Sequence, residues 1–179
     1  MKLEEKTLSK ETLFKGIVFD VERLDVELGD GSSSRRDVVR HIGGVGVLAR
    51  RADGKFLWVK QYRKAVESLS LEIVAGMREP GEAVEVTGKR EVEEETGYVP
   101  HQLNYLGRFL PSPGYTDEVD ELYFAELDPS EKALKLDKDE RLVVEALSQS
   151  EIESMIRENK IIDGKSIAAW FFAKDKGYI

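Results

Sequence analysis

Residues 76–98 read GMREPGEAVEVTGKREVEEETGY, and this stretch places four glutamates in the five positions from Glu91 to Glu95 before it stops at Gly97. Pro80-Gly81 and Gly97 bracket residues 81–96 as a helix, since glycine is favoured just past a helix end. Carboxylates in its last turns face the negative end of the helix dipole. Like charges at i,i+4 cost a few tenths of a kcal/mol more per pair. Something must offset that. At roughly 100° per residue, Glu91, Glu94 and Glu95 share an arc of roughly 100°, while Glu93 points away beside Arg90. The arc continues back through Thr87 and Gly88, and an interior helical glycine costs about 1 kcal/mol relative to alanine. A solvated face has no use for that sacrifice, whereas a face closely approached by another backbone or by a bound group does. Three clustered carboxylates with small neighbours make a hard-oxygen site suited to Mg²⁺ or Mn²⁺; the alternative is a charged, solvated helix face.

The remainder of the sequence bounds the choice. A chain of 179 residues suffices for one domain with a small appended element and a proper core. Its 41% hydrophobic and 35% charged residues read as globular and highly soluble. A formal charge of −8 argues against a general nucleic-acid binder but leaves room for a local basic pocket that takes a small anion. The absence of cysteine rules out disulfides and thiol catalysis. The start, MKLEEKTLSKETLFKG, has no apolar signal core, and no apolar run approaches the roughly 20 residues of a membrane span. A cytoplasmic protein with no membrane and no nucleic-acid partner is expected.

Along the chain, IVFDVERLDVEL (residues 17–28) alternates in the strand manner but switches parity, which suggests a bulge or two short strands. GDGSSS supplies a turn. DVVRHIGGVGVLARR and KFLWVKQYR read as strands joined by the Asp53-Gly54 turn, followed by a short strand SLEIVAG. Further strands are expected at LNYLGRFL, DELYFAEL and LVVEALS. Helices are expected at 150–159, capped by Ser148 or Ser150, and at 164–176. Mixed strands with a few helices indicate an α/β or α+β layered domain.

The flanks of the glutamate run decide its meaning. From Gly76 the string is Gly-x5-Glu-x7-Arg-Glu-Val-x-Glu-Glu-x-Gly-Tyr, realised as Gly76, Glu82, Arg90, Glu91, Val92, Glu94, Glu95, Gly97 and Tyr98. This resembles the Nudix box, the signature of hydrolases acting on nucleoside diphosphates linked to another moiety. Only Tyr98 departs, standing where an aliphatic residue is usual. RRDVVRHIGG, VKQYR, SPGYTDE and IIDGKSIAAW are similar to segments of the ADP-ribose pyrophosphatase subfamily. Pro113 lies 16 residues beyond Gly97, the subfamily's spacing. The resemblance runs from about residue 13 to residue 174. Val74 and Ile42 depart from it, each standing where proline is common.

That resemblance implies an α/β/α sandwich around a mixed sheet, with residues 1–40 as a β-rich segment that helps form a homodimer and 41–179 as the hydrolase domain. It implies Mg²⁺-dependent hydrolysis of ADP-ribose to AMP and ribose 5-phosphate, with Mn²⁺ as a possible substitute. Another nucleoside diphosphate sugar or a dinucleotide (GDP-mannose, NADH) is the alternative substrate, and a catalytically silent nucleotide-binding module is the alternative class. By resemblance Glu91, Glu95 and the carbonyl of Ala75 are metal ligands, and Glu94 bridges or holds a water. Gly76, Glu82, Arg90 and Gly97 support the box, with Glu82 either serving a metal or its loop, or simply pairing with Arg90. Glu118 is the general base by analogy, against Asp117, Asp120 and Glu121. Arg63 and Arg36 are phosphate or ribose contacts, each with an ordinary surface ion pair as its alternative, and Tyr115 or Phe19 stacks on adenine, with core packing as the alternative for Phe19.

Overall fold

The N-terminal part of the chain is built of strands, of which only the second and third carry the apolar–polar alternation that burial selects. The computed structural model describes residues 2–131 and 141–179. Strands β1 (Lys6–Lys15), β2 (Phe19–Glu27) and β3 (Ser33–His41) form an antiparallel sheet in that order. The parity switch in IVFDVERLDVEL is not a bulge. β2 pairs with β3 in unbroken register from Phe19–His41 to Glu27–Ser33, and the irregularities fall in the β1–β2 pairing instead, at Thr7/Ser9 and Thr12/Phe14. Phe19 and Val21 therefore lie on one face, and Leu24 and Val26 on the other. Directly opposed charges, Arg23 with Asp37 at 2.7 Å and Arg35 with Asp25 at 3.0 Å, reinforce this register. Strand β1 itself was not anticipated from the sequence, because its residues are uniformly exposed and show no apolar alternation.

Residues Met1–Gly43 and Leu110–Val119 make one compact unit, and Gly44–Phe109 and Asp120–Ile179 make a second. The stretch read as one strand, DVVRHIGGVGVLARR, divides between them at Gly43-Gly44.

The second unit contains β4 (Gly44–Arg50), β5 (Phe56–Arg63), β6 (Ser68–Glu72), β7 (Val74–Met77), α1 (Val84–Thr96), β8 (Tyr98–Phe109), β9 (Asp120–Glu131), β10 (Leu142–Leu147), α2 (Gln149–Arg157) and α3 (Gly164–Asp175). Its sheet runs β10-β5-β4-β9-β8, with β6 on β5 and β7 on β4. The β4–β9 pair is parallel and the other pairs are antiparallel, so the sheet is mixed. Side-chain alternation along β4 divides the core. Val45, Val47 and Ala49 pack with Val92 of α1, whereas Leu48 packs with Phe56, Trp58, Ile152 of α2 and Trp170 of α3. The sheet thus lies between α1 on one face and α2 and α3 on the other, the expected α/β/α sandwich.

Helix α1 begins at Val84, three residues after the position read from the sequence, and ends on Gly97 in the left-handed conformation (φ 75°) with its N–H donated to the Glu93 carbonyl. Helix α2 opens with the Ser148–Glu151 capping box, and α3 is capped by Asp163. Among the described residues, no helix is long and apolar enough to cross a membrane.

Candidate active site

Helix α1 buries Thr87, Gly88, Glu91, Val92, Glu95 and Thr96. Val92 is the one sizeable apolar side chain in that stripe, so hydrophobic packing does not account for it. Gly88 faces the sheet rather than a ligand: a Cβ there would lie 2.8 Å from Leu103 Cδ1 and 3.3 Å from a methyl of each of Val45 and Val47. The small residue lets the helix lie close on β4 and β8 at the level where its carboxylates turn inward. Glu91 and Glu95 are only 8% and 3% exposed, and burying a carboxylate costs several kcal/mol unless charge or hydrogen bonds compensate it.

Compensation comes first from Arg90. One of its terminal nitrogens donates to Glu91 Oε1 at 2.7 Å and to Glu94 Oε2 at 3.0 Å, and the other meets Glu82 Oε2 at 3.3 Å. Burial opposes the Arg90 charge, but the bond to Glu82 and the field of Glu91 outweigh it and raise its pKa further. Glu82 also accepts the Thr87 hydroxyl at 2.7 Å, so it ties the loop before α1 to the helix. Glu82 thus both pairs with Arg90 and orders its loop, two of the roles its position suggested.

Gly76, in β7 beside Ala75, abuts this cluster: any Cβ on it would run into the Glu91 carboxylate. A backbone carbonyl edge and a buried carboxylate are thereby brought together with no side chain between them. Among the described residues, no three His, Cys, Asp or Glu side chains are already gathered to enclose a metal ion, and Arg90 pairs with Glu91 and Glu94 instead. The donor chemistry nevertheless fits a hard divalent cation. Glu91, Glu95 and Glu94 supply carboxylate oxygens, Ala75 supplies a carbonyl, and Gly76 leaves the space.

Arg63, at the end of β5, is held by Glu72 through a two-pronged bond, Nε to Oε1 at 2.8 Å and Nη2 to Oε2 at 2.7 Å. Glu72 is 2% exposed, and Lys165 of α3 is its second cationic partner. The bond to Glu72 raises the Arg63 pKa against burial, and the charges of Glu72, Asp163 and Glu95 add to it in that order. Sequence reading missed Glu72 and Lys165, although an acid within the apolar SLEIVAG stretch was the available signal. Burial alone would raise the Glu72 pKa, but the bond from Arg63 and the charge of Lys165 carry it from the ordinary 4.5 down to about 2. A depressed folded-state pKa stabilises the fold above the unfolded value and loses that contribution as pH falls through the folded one. Glu72 should therefore contribute about 3 kcal/mol at neutral pH, lost between pH 4.5 and about 2. Urea unfolding from pH 6 down to pH 2.5 is expected to show a shallower acid limb in Glu72→Gln than in the wild-type chain.

The acidic loop belongs to the first unit. Val39 N–H donates to Tyr115 O at 2.8 Å, and Asp117 N–H donates to Val39 O at 3.2 Å, so the loop is laced to β3. Asp117 accepts the His41 N–H at 2.9 Å and Arg40 at 3.0 Å. Burial works against its charge, yet those bonds hold its carboxyl below the usual range. Glu121, on β9, accepts the Tyr105 hydroxyl at 2.8 Å. Asp120 is buried at the start of β9. Glu118 lies 3.5 Å from His41 Nδ1, and that imidazole nitrogen accepts the Gly43 N–H at 3.0 Å, in keeping with a structural histidine. The Tyr115 ring is exposed, Phe19 is exposed with its ring tilted against Phe14, and Arg36 is bound to Glu5 at 2.5 Å and to Ser34 at 2.8 Å. The two arginines thus differ: Arg63 joins the box side of the second unit, while Arg36 is engaged on the first unit's sheet.

Comparison with known proteins agrees with this geometry. The chain is 41% identical over 168 residues to an ADP-ribose pyrophosphatase of Bacillus subtilis (strain 168), covering 93% of this chain and 91% of that protein. It is 43% identical over 167 residues to a methanol dehydrogenase activator of Bacillus methanolicus, covering 93% and 90%. A crystal structure titled as an ADP compounds hydrolase superposes with a TM-score of 0.84 over the whole of both chains at 22% identity, a likeness of fold. A family model described as the NUDIX domain matches residues 40–171. With its box glutamates turned inward beside Gly76 and most of its length matched, the chain is a member of the NUDIX domain family.

Proposed function

We propose that this protein is a divalent-metal-dependent ADP-ribose diphosphatase, converting ADP-ribose and water to AMP and ribose 5-phosphate. The observation that carries the proposal is the pair of buried glutamates, Glu91 and Glu95, on a helix stripe that hydrophobic packing does not explain. The names of the pyrophosphatase relatives support the substrate class.

In this reading Glu91, Glu95 and the Ala75 carbonyl hold Mg²⁺, or Mn²⁺ in its place, and Glu94 holds a cation or a water. When bound, the cation neutralises diphosphate charge and lowers the pKa of the attacking water. Arg90 and Glu82 keep the box carboxylates oriented, while Gly76 and Gly97 give the backbone room. Arg63 grips a phosphate oxygen, with Arg36 and Tyr115 as further substrate contacts. Glu118 removes the proton of the attacking water. Asp117 and Glu121 are poorer bases because their oxygens already accept hydrogen bonds from Arg40, the His41 backbone and Tyr105. The water oxygen then bonds to phosphorus as the bridging P–O bond breaks.

The test is a substrate panel with Mg²⁺: ADP-ribose should be turned over fastest, ahead of GDP-mannose and NADH. If ADP-ribose ranked among the slowest, the substrate assignment would fail. No turnover of any member would favour a silent binding module. We further propose that residues 1–40 help form a homodimer, since their strands and turns leave Leu8, Leu13, Phe14, Ile17 and Val18 exposed. A monomer by sedimentation at micromolar concentration would refute that. A cytoplasmic location completes the proposal.

A further inference from the structure

We infer that Lys165 and Glu72 are positioning residues for the reaction, fixing the Arg63 guanidinium so that its remaining N–H edge stays free and charged for a diphosphate. The inference rests on the reading of Arg63 as a diphosphate contact.

A guanidinium carries five N–H donors in a rigid plane. Glu72 takes the Nε and one Nη2 donor of Arg63, which leaves the Nη1–Nη2 edge, the fork that matches a phosphate. Among the described residues Nη1 has no acceptor, and the side chain is 43% exposed although its carboxylate partner is 2% exposed. A side chain held this way has surrendered its rotamer freedom on folding rather than on binding.

Anchoring by a carboxylate carries a penalty of its own, because one acid opposite one arginine cancels the charge that a diphosphate needs. Lys165 lessens that penalty by drawing on the same carboxylate. Its ammonium contacts Glu72 Oε2, the oxygen that also accepts Arg63 Nη2. One buried carboxylate is therefore shared between two cations. The lysine is in turn fixed from the far side. Asp163 accepts Lys165 Nζ at 2.9 Å and caps α3 through Ser166 N–H at 3.0 Å, while the Ser166 hydroxyl accepts the Ile73 N–H at 2.9 Å. The first turn of α3 is thus stitched to the strand segment that runs directly into Ala75-Gly76. Displacing this turn would move the cation opposite Glu72 and alter how strongly Glu72 draws on Arg63.

The experiment measures KM and kcat for ADP-ribose in Arg63→Met, Lys165→Met, Lys165→Arg, Glu72→Gln and the double variant Arg63→Met/Lys165→Met. Arg63→Met should raise KM about 10- to 100-fold, the usual weight of a hydrogen bond to a charged group. Lys165→Met should raise KM about 5- to 10-fold with kcat changed less than about threefold, and Lys165→Arg should restore KM to within about twofold. The double variant should resemble Arg63→Met alone, because the lysine acts through the arginine. Unchanged KM in Arg63→Met would remove the diphosphate reading and the inference with it. A raised KM in Arg63→Met together with an unaltered KM in Lys165→Met, or with multiplying effects in the double variant, would overturn the inference and leave the reading intact. If Glu72→Gln does not fold, the lysine variants carry the test by themselves.

Discussion

Replacing Glu95 by glutamine is expected to lower ADP-ribose turnover roughly 10³-fold without unfolding the protein. Glutamine keeps the shape of the side chain, which is 3% exposed on the inward stripe of α1. It removes the negative charge that a dication would require. Metal assistance supplies several kcal/mol of charge stabilisation in the transition state, and about 4 kcal/mol corresponds to roughly three decades in rate. The accompanying measurement is thermal: adding Mn²⁺ should raise the Tm of the wild-type chain by mass action and leave that of the variant unmoved. A variant with wild-type turnover would speak heavily against the metal assignment.

Glu118→Gln is the second large effect. Removing a general base typically costs 10²-fold or more in kcat, and the proposal requires a loss of that order with KM nearly unchanged. The choice among the loop acids is physical. Asp117 has both carboxylate oxygens engaged, one by a backbone N–H and one by Arg40, so a proton on it would cost two good hydrogen bonds. Glu121 is bonded to Tyr105 and paired with Arg108 at 3.4 Å. A loss below about tenfold in Glu118→Gln would move the role to another residue, and Asp120→Asn would be examined next.

How legible the molecule is in its sequence depends on which physical signal a residue leaves. Helix α1 and its glutamates were readable because turn residues, periodicity and charge crowding all fall within 23 residues. The layered α/β class followed from the mixture of strands and helices, and the sandwich from the family resemblance; the two core clusters on either side of β4 agree with both. Strand β1 was not readable, since a uniformly exposed strand has no period for burial to select. The division at Gly43-Gly44 was also hidden, because β propensity on both sides of it says nothing about which sheet a residue joins. Gly88 was read as making room for a ligand or a backbone, and the room is taken by Leu103, Val45 and Val47. The link between Glu72 and Lys165 spans 93 positions, a separation that no local pattern reports. Arg63 and Arg36 were candidates for the same contact, with Arg63 placed first, and their partners separate them further.

The most direct test is a Mn²⁺ titration followed by electron paramagnetic resonance, comparing the wild-type chain with Glu95→Gln, each with and without a non-hydrolysable ADP-ribose analogue. The wild-type protein should take up Mn²⁺ saturably and more tightly when the analogue is present, and the variant should lose most of that uptake. Equal binding by the two proteins, or none by either, would contradict a dication held among the carboxylates of α1.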